Sequence, residues 1–197
     1  NEALSAAEIQ TRYNAKLTPV DFGIIRAAGD ALPPDQRPTN MTLNAADFDG
    51  LVGLHERNDM LDKPLKVDVK ISGGAVLNEN SRGGSGVIEA NTAFSSYLLQ
   101  FDPAGKQRGK PDTVRGSFQF EGPILGIIAD NATLAKSDAV AGAIGNYGDH
   151  ADRGMSFAPG DFLNVSSDRR NVDFALSTPA EKMLQFRVIT ELPGGGH

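Results

Sequence analysis

Acidic side chains in the last third of the chain are the strongest candidates for chemistry. Asp149 and Asp152 follow the segment Gly-Asn-Tyr-Gly at 145–148, and Asp161 lies nearby in sequence. Carboxylates and loop carbonyl oxygens are the ligands that calcium prefers. If a cation binds, we therefore expect Asp149, Asp152 and Asp161 to hold it. The interpretation that we favour is an exposed loop with local Asp–Arg pairing, which would contribute little to stability.

A second calcium-like pattern spans 45–56 and is incomplete. Five positions agree with a calcium-binding loop, namely Asp47, Asp49, Gly50, Val52 and Glu56. The first ligand position is Ala45, and the loss of an anionic ligand is a severe defect in a site for a hard cation. We interpret Asp49-Gly50 as a turn that leads into a strand.

Two hydrolase motifs are also incomplete. His55-Glu56 begins the zinc-protease pattern His-Glu-x-x-His, but the fifth position is Asp59. The segment at 154–158, Gly-Met-Ser-Phe-Ala, lacks the final glycine of a nucleophile elbow. Neither motif predicts a catalytic site.

The composition excludes several classes of function. The chain has 197 residues and a net charge of −6, whereas nucleic-acid binding needs a clustered basic surface. It has no cysteine, which excludes a cysteine nucleophile, a zinc–thiolate site and an iron–sulfur cluster. It has no tryptophan, the residue that makes the strongest stacking platform for sugars or cations.

The elements that must position these residues are strands. Between Val114 and Phe120 apolar and polar residues alternate, which is typical of a strand with one buried face. Gly122-Pro123 interrupts this pattern, since proline has no N–H to donate to a sheet. The apolar run from Ile124 to Ile128 predicts a strand that is covered on both faces.

The same pattern recurs along most of the chain. Strands are likewise predicted at 22–26, 65–71, 94–101, 171–176 and 184–190, almost all of them with this alternation. At 65–71 we expect Leu65, Val67, Val69 and Ile71 to point inward, with Lys66, Asp68 and Lys70 outward. About nine to eleven strands with turn residues between them predict an all-β fold. We expect an antiparallel, jelly-roll-like β-sandwich with long loops.

The domain organisation is simple. We expect a single domain over 1–193, with 1–50 as a candidate N-terminal arm that carries a short helix at 6–16 after the capping box at Ser5–Glu8. An Ala-rich segment at 132–143 predicts a helical turn that begins at Ser137. Residues 194–197 resemble a linker that leads into a purification tag, so no site is assigned there.

Several segments together resemble a group of bacterial exported ectodomains that carry a C-terminal PEP-CTERM-type sorting signal. They are 94–103, 114–128, 134–139, Tyr147, Arg153-Gly154 and 186–190. The last of them contains Arg-Val-Ile-Thr, which in that group stands near the end of the folded domain, before the anchor. The resemblance covers roughly 54–191. It implies export, a surface or matrix location and a sandwich-like domain, and it implies no catalytic residues.

Three functional hypotheses follow. The first is a non-enzymatic domain with a structural or adhesive role at the bacterial cell surface or in the extracellular matrix. Its partners would be polysaccharide, matrix components or further copies of itself, and its only membrane attachment a C-terminal anchor. The second is a carbohydrate-binding module stabilised by a cation, with calcium the candidate cofactor. The third is a hydrolase that uses carboxylates. We interpret Ser137-Asp138 as a capped turn. In the pair Arg153-Gly154 we interpret Gly154 as a loop glycine.

Overall fold

The structure is a computed structural model that describes residues 23–32, 50–80, 85–102, 112–143, 147–148, 153–178 and 183–193. The predicted helix at 6–16 and residues Asp149 and Asp152 lie outside these ranges. The strands in chain order are β1 (Ile24–Gly29), β2 (Ala31–Leu32), β3 (Leu51–Met60), β4 (Leu65–Val67), β5 (Val69–Lys70), β6 (Ala75–Asn78), β7 (Gly86–Ile88), β8 (Ala93–Phe101), β9 (Asp112–Phe120), β10 (Ile124–Ile128), β11 (Phe162–Val165), β12 (Asn171–Thr178) and β13 (Leu184–Glu191). The helix within the described residues, α1 (Asn131–Ala141), lies between β10 and β11.

The described strands form two large sheets and one small one. The five-stranded sheet has the order β1-β9-β12-β11-β6, and the six-stranded sheet has the order β2-β3-β8-β13-β10-β5. β4 and β7 pair with each other. Every described pair is antiparallel except β2 with β3. The predicted all-β sandwich is therefore confirmed.

The main core lies between the two large sheets. Phe118, Phe120 and Phe174 contribute from the five-stranded sheet, and Phe186 and Val188 from the six-stranded sheet. Side chains of a strand alternate between its two faces, so every second residue of β9 and β13 enters this core. The alternation predicted for Val114 to Phe120 is confirmed.

A second core covers the outer face of the six-stranded sheet. Leu54, Leu98 and Ile189 project from that face and pack in one cluster with Leu134 of α1 and Ile88 of β7. The centre of this sheet is therefore buried on both faces. Any charged residue on its outer face must find its partners inside the protein, because an unpaired buried charge is very costly.

The segment from Leu65 to Ile71 differs from its prediction. The inward residues are buried as expected, but the backbone breaks at Asp68, and its two halves pair with different strands, β4 with β7 and β5 with β10. The Asp68 carboxylate, which was predicted to face water, is half-buried. It accepts hydrogen bonds at 2.7 Å from the backbone N–H groups of Ala129 and Asp130. These bonds hold the chain where it enters α1.

The helix also differs from its prediction. It begins at Asn131 with Asp130 as its N-cap, and the Asp130 carboxylate accepts from the backbone N–H groups of Ala132 and Thr133. Ser137 was predicted to begin a helical turn, but it is a buried residue inside the helix. The described residues contain no helix with the length and apolar character needed to cross a bilayer.

Candidate functional site

The outer face of the six-stranded sheet carries a buried ion pair beneath α1. The guanidinium of Arg187, on β13, donates from Nε to Oε2 of Glu56 at 2.6 Å and from Nη2 to Oε1 at 2.9 Å. Both side chains are completely buried. Two parallel bonds of this kind are the strongest arrangement for an arginine–carboxylate pair.

The Asp138 carboxylate of α1 accepts hydrogen bonds from two arginines. Arg153 donates to Oδ2 at 2.5 Å and to Oδ1 at 3.0 Å, and Arg187 also donates to Oδ1 at 3.0 Å. The side chain of Arg153 is 2% exposed and that of Asp138 is 21% exposed. Arg187 therefore bridges a strand carboxylate and a helix carboxylate. We call Glu56, Asp138, Tyr147, Arg153 and Arg187 the arginine network.

Tyr147 completes the network. Its hydroxyl donates to Oε1 of Glu56 at 2.5 Å and lies 3.0 Å from the carbonyl oxygen of Ala143. Burial raises the pKa of Tyr147 well above its usual value, and the negative charge of Glu56 raises it further. The guanidinium carbon of Arg153 lies 4.8 Å from the centre of the Tyr147 ring, which is a cation–π distance. The phenol is therefore a fixed hydrogen-bond donor at neutral pH.

Burial and charge act in opposite directions on Arg187. Burial by itself lowers the pKa of this guanidinium, but the charges and hydrogen bonds of Glu56, followed by the charge of Asp138, outweigh it and raise the pKa. Arg187 Nη1 also donates to the Ser137 hydroxyl and, at 3.3 Å, to the carbonyl oxygen of Leu134. The guanidinium thus contacts the helix backbone as well as both carboxylates.

Local backbone features place these side chains. The pairing of β3 with β8 shifts register between His55 and Arg57, so Glu56 is the extra residue of a β-bulge. Bulges commonly redirect a side chain out of the regular pleat. Gly154, next to Arg153, has φ of +95°, a conformation that glycine adopts readily and other residues rarely adopt. The prediction that Gly154 is a loop glycine is confirmed.

A groove runs along α1 beside the arginine network. It has a volume of about 360 Å³. We call it the α1 groove, and its lining residues are Ala132, Ala135, Lys136, Asp138, Tyr147, Gly148 and Arg153. Asp138, Tyr147 and Arg153 belong to both the groove and the network. This groove is the best candidate for a functional site among the described residues.

The charges within the arginine network are balanced. The formal charges of two carboxylates and two guanidinium groups cancel. The Glu56 carboxylate also accepts from Ser96 Oγ and from the backbone N–H of Ala143, both at 3.3 Å. Arg153 Nε donates to Gln185 at 2.6 Å. Such an arrangement braces the helix on the sheet, but it offers no unpaired carboxylate for acid–base chemistry.

Of the three predicted calcium ligands, the described residues include Asp161. Asp161 is buried, with Oδ2 accepting from the backbone N–H of Ala158 and Oδ1 from the Ser177 hydroxyl, both at 2.9 Å. Asp149 and Asp152 lie outside the described residues. Within the described ranges, no three His, Cys, Asp or Glu side chains are grouped as a metal site would require. The three-aspartate site stays a prediction.

The residues of the two incomplete hydrolase motifs lie on β3 and in an irregular segment before β11. His55 Nε2 is 2.8 Å from Oδ1 of Asn58, and the His55 ring packs near Tyr97. Glu56, its neighbour in the zinc-protease pattern, is the carboxylate that pairs with Arg187. Ser156 lies in an irregular segment instead of the strand–turn–helix of a nucleophile elbow.

Residues from four of the segments that carried the family resemblance meet in the arginine network. Ser137-Asp138, Tyr147, Arg153 and Arg187 come from four separate segments and contact one another there. The sequence pattern did not reveal Glu56 as their common partner. One signal was available: Arg187 stands in the apolar run Phe186–Ile189, and a charge in a fully buried strand requires an internal counter-ion.

Comparisons with protein-family models, with curated proteins and with solved structures find no match to this chain.

Proposed function

We propose that this chain is a non-enzymatic domain exported to the bacterial cell surface or extracellular matrix, with a structural or adhesive role. The observation that carries the proposal is the charge-balanced arginine network. The buried charged side chains bond to one another and fasten α1 to the six-stranded sheet. They serve the scaffold, and the α1 groove beside them supplies a surface for binding.

The resemblance to exported PEP-CTERM-type ectodomains supports this role. Residues from four of the segments that carry it fasten α1 to the six-stranded sheet, as expected if the group shares this scaffold. A hydrophobic core on both faces of the central sheet gives such a domain stability without disulfides. Stability of this kind suits a domain that acts outside the cell.

A carboxylate-dependent hydrolase fits the geometry less well. Glu56 and Asp138 lie close together, because Nη2 of Arg187 bonds to both at 2.9 and 3.0 Å. A glycosidase needs two carboxylates that reach the substrate from either side of the scissile bond. The Glu56 side chain is 0% exposed, so a substrate cannot reach it without displacing α1.

A carbohydrate-binding module is the second candidate, and the α1 groove favours it. The cation that such a module would use is calcium, with Asp149, Asp152 and Asp161 as the proposed ligands. The two hydrogen bonds that Asp161 accepts leave it fewer free lone pairs than an unengaged carboxylate has.

The test is a binding and assembly experiment with the purified chain. The chain should be incubated, with and without calcium, with extracellular polysaccharide and with matrix prepared from bacteria that export such domains. Its association state should be followed by sedimentation velocity. Retention on matrix or concentration-dependent self-association is the expected result. A chain that stays monomeric, binds no matrix fraction and hydrolyses a glycan or ester substrate would overturn the proposal.

Localisation needs a separate measurement. Fractionation of the source bacterium should place the protein in the surface or matrix fraction, detected with an antibody raised against the folded domain. Recovery in the cytosolic fraction alone would contradict the proposed export. This result is independent of which ligand the domain binds.

A further inference from the structure

We propose that the α1 groove binds a neutral sugar unit, with Asp138 as the main acceptor for its hydroxyl groups. This inference deepens the proposed function, since it names the ligand class of an adhesive domain. The groove volume of about 360 Å³ lies in the range of roughly 300 to 1,000 Å³ that is usual for small-molecule sites. One or two sugar rings fit such a space.

The Asp138 carboxylate keeps an acceptor position for a ligand. An ionised carboxylate has about four lone-pair sites. Three are used by N–H groups of Arg153 and Arg187, two on Oδ1 and one on Oδ2. The remaining site is on Oδ2, and the side chain is 21% exposed in the wall of the groove. A sugar hydroxyl can donate to it.

The two arginines hold this acceptor in place. Arg153 and Arg187 fix the carboxylate plane through three bonds between 2.5 and 3.0 Å. Both guanidinium groups are themselves held by buried partners, Gln185 and Glu56. A ligand group that meets a pre-positioned acceptor loses less binding energy to ordering of the protein.

The other walls suit a sugar ring. Ala132 and Ala135 present small apolar surfaces that can face the C–H groups of the ring, and Lys136 is exposed at the rim as a donor to ring or exocyclic oxygens. The Arg153 guanidinium lies against the Tyr147 ring, so the ligand would rest on alanines instead of stacking on an aromatic face.

Charge compensation within the network leaves Asp138 and Arg153 little attraction for an ion, whereas Lys136 adds a positive charge to the groove lining. The negative charge of Asp138 is already compensated by two arginines, so a cation gains little there. Arg153 directs three of its N–H groups to Gln185 and Asp138, which leaves few donors for an anion. A sugar hydroxyl needs no net charge in its binding site. It can donate to the Asp138 carboxylate and accept from a donor such as Lys136.

The experiment is a titration followed by amide chemical shifts and by calorimetry. The probes are a panel of neutral mono- and disaccharides, glucuronate as an acidic sugar, and calcium alone. We expect a neutral saccharide to shift amides of the helix residues at 132–138 and of Gly148. Ala135→Phe fills the groove and should weaken this binding about tenfold or more. Ala139→Phe, an exposed position on the same helix outside the groove lining, should change it by less than about twofold.

Three outcomes would overturn the inference. They are no neutral saccharide shifting the groove amides, binding only of glucuronate or calcium, and equal affinity in Ala135→Phe and the unmodified chain. The matrix-binding experiment separates this failure from that of the proposed function. If the Ala135→Phe chain still binds matrix as strongly, the adhesive role stands while the groove is excluded as its site.

Discussion

Arg187 and Glu56 are 131 positions apart in the chain, yet their side chains form two hydrogen bonds of 2.6 and 2.9 Å in the fully buried space between the six-stranded sheet and α1. β13 supplies the guanidinium and the bulge in β3 supplies the carboxylate. β8 lies between these two strands in the sheet, so the ion pair spans the central strand. Register of three strands therefore determines whether the network forms.

Loss of the Arg187 charge should be severely destabilising. Arg187→Met leaves the Glu56 carboxylate buried without a cation, and breaking a buried ion pair in this way typically costs about 3 to 5 kcal/mol. The free energy of unfolding from urea titration measures the effect. Arg115→Met is the matched control, since Arg115 is exposed on the outer side of β9, and it should change stability by about 0.5 kcal/mol or less. Similar losses in the two variants would contradict the assignment.

The turn beside Arg153 should depend on glycine. A Cβ at Gly154 would lie 3.0 Å from the backbone nitrogen of Asn131 and 3.1 Å from the carbonyl oxygen of Ala129, and φ there is +95°. Gly154→Ala should therefore lower the free energy of unfolding by about 1 to 3 kcal/mol. Gly73→Ala meets no atom within 4 Å and should leave stability unchanged or raise it by up to about 1 kcal/mol. Chemical denaturation of both variants checks the contrast, and a harmless Gly154→Ala would show that this turn does not need glycine.

Stability should fall at high pH through Tyr97. Burial raises the pKa of Tyr97 from 10.0 to about 12, so the folded protein binds this proton more tightly than the unfolded chain does. The resulting stabilisation is complete below pH 10 and is lost as pH rises from 10 to about 12. In that window one such group steepens the decline by up to about 1.4 kcal/mol per pH unit. Tyr97→Phe should show the shallower slope in urea titrations across this range, and equal slopes would exclude the Tyr97 contribution.

Much of the fold was predictable from local pattern. Val114, Phe118 and Phe120 face the core because burial on one face of a strand has a period of two residues. The break at Asp68 was not predictable in this way, because the apolar alternation continues through it without interruption. The break is explained by contacts from distant sequence, namely the hydrogen bonds that the Asp68 carboxylate accepts from Ala129 and Asp130 and the one that the Asp68 N–H donates to Ile127.

The candidate site was predictable only in part. The segments that contain Asp138, Arg153 and Arg187 stood out in the resemblance, but their meeting point depends on strand register and on where α1 crosses the sheet. The sequence placed Glu56 in two incomplete motifs, the calcium-like pattern at 45–56 and the zinc-protease pattern that begins at His55. Neither motif indicated Arg187 as its partner. The bulge that directs its carboxylate under the helix has no clear sequence signature.

A double-mutant cycle measures whether Glu56 and Arg187 act as one structural unit. Glu56→Leu, Arg187→Met and the double variant should be compared by urea unfolding at pH 7. We expect each single variant to lose about 3 kcal/mol or more, and the double variant to be more stable than either, because it leaves no unpaired charge within the pair. Additive losses, with the double variant the least stable, would show that the two side chains stabilise the fold independently.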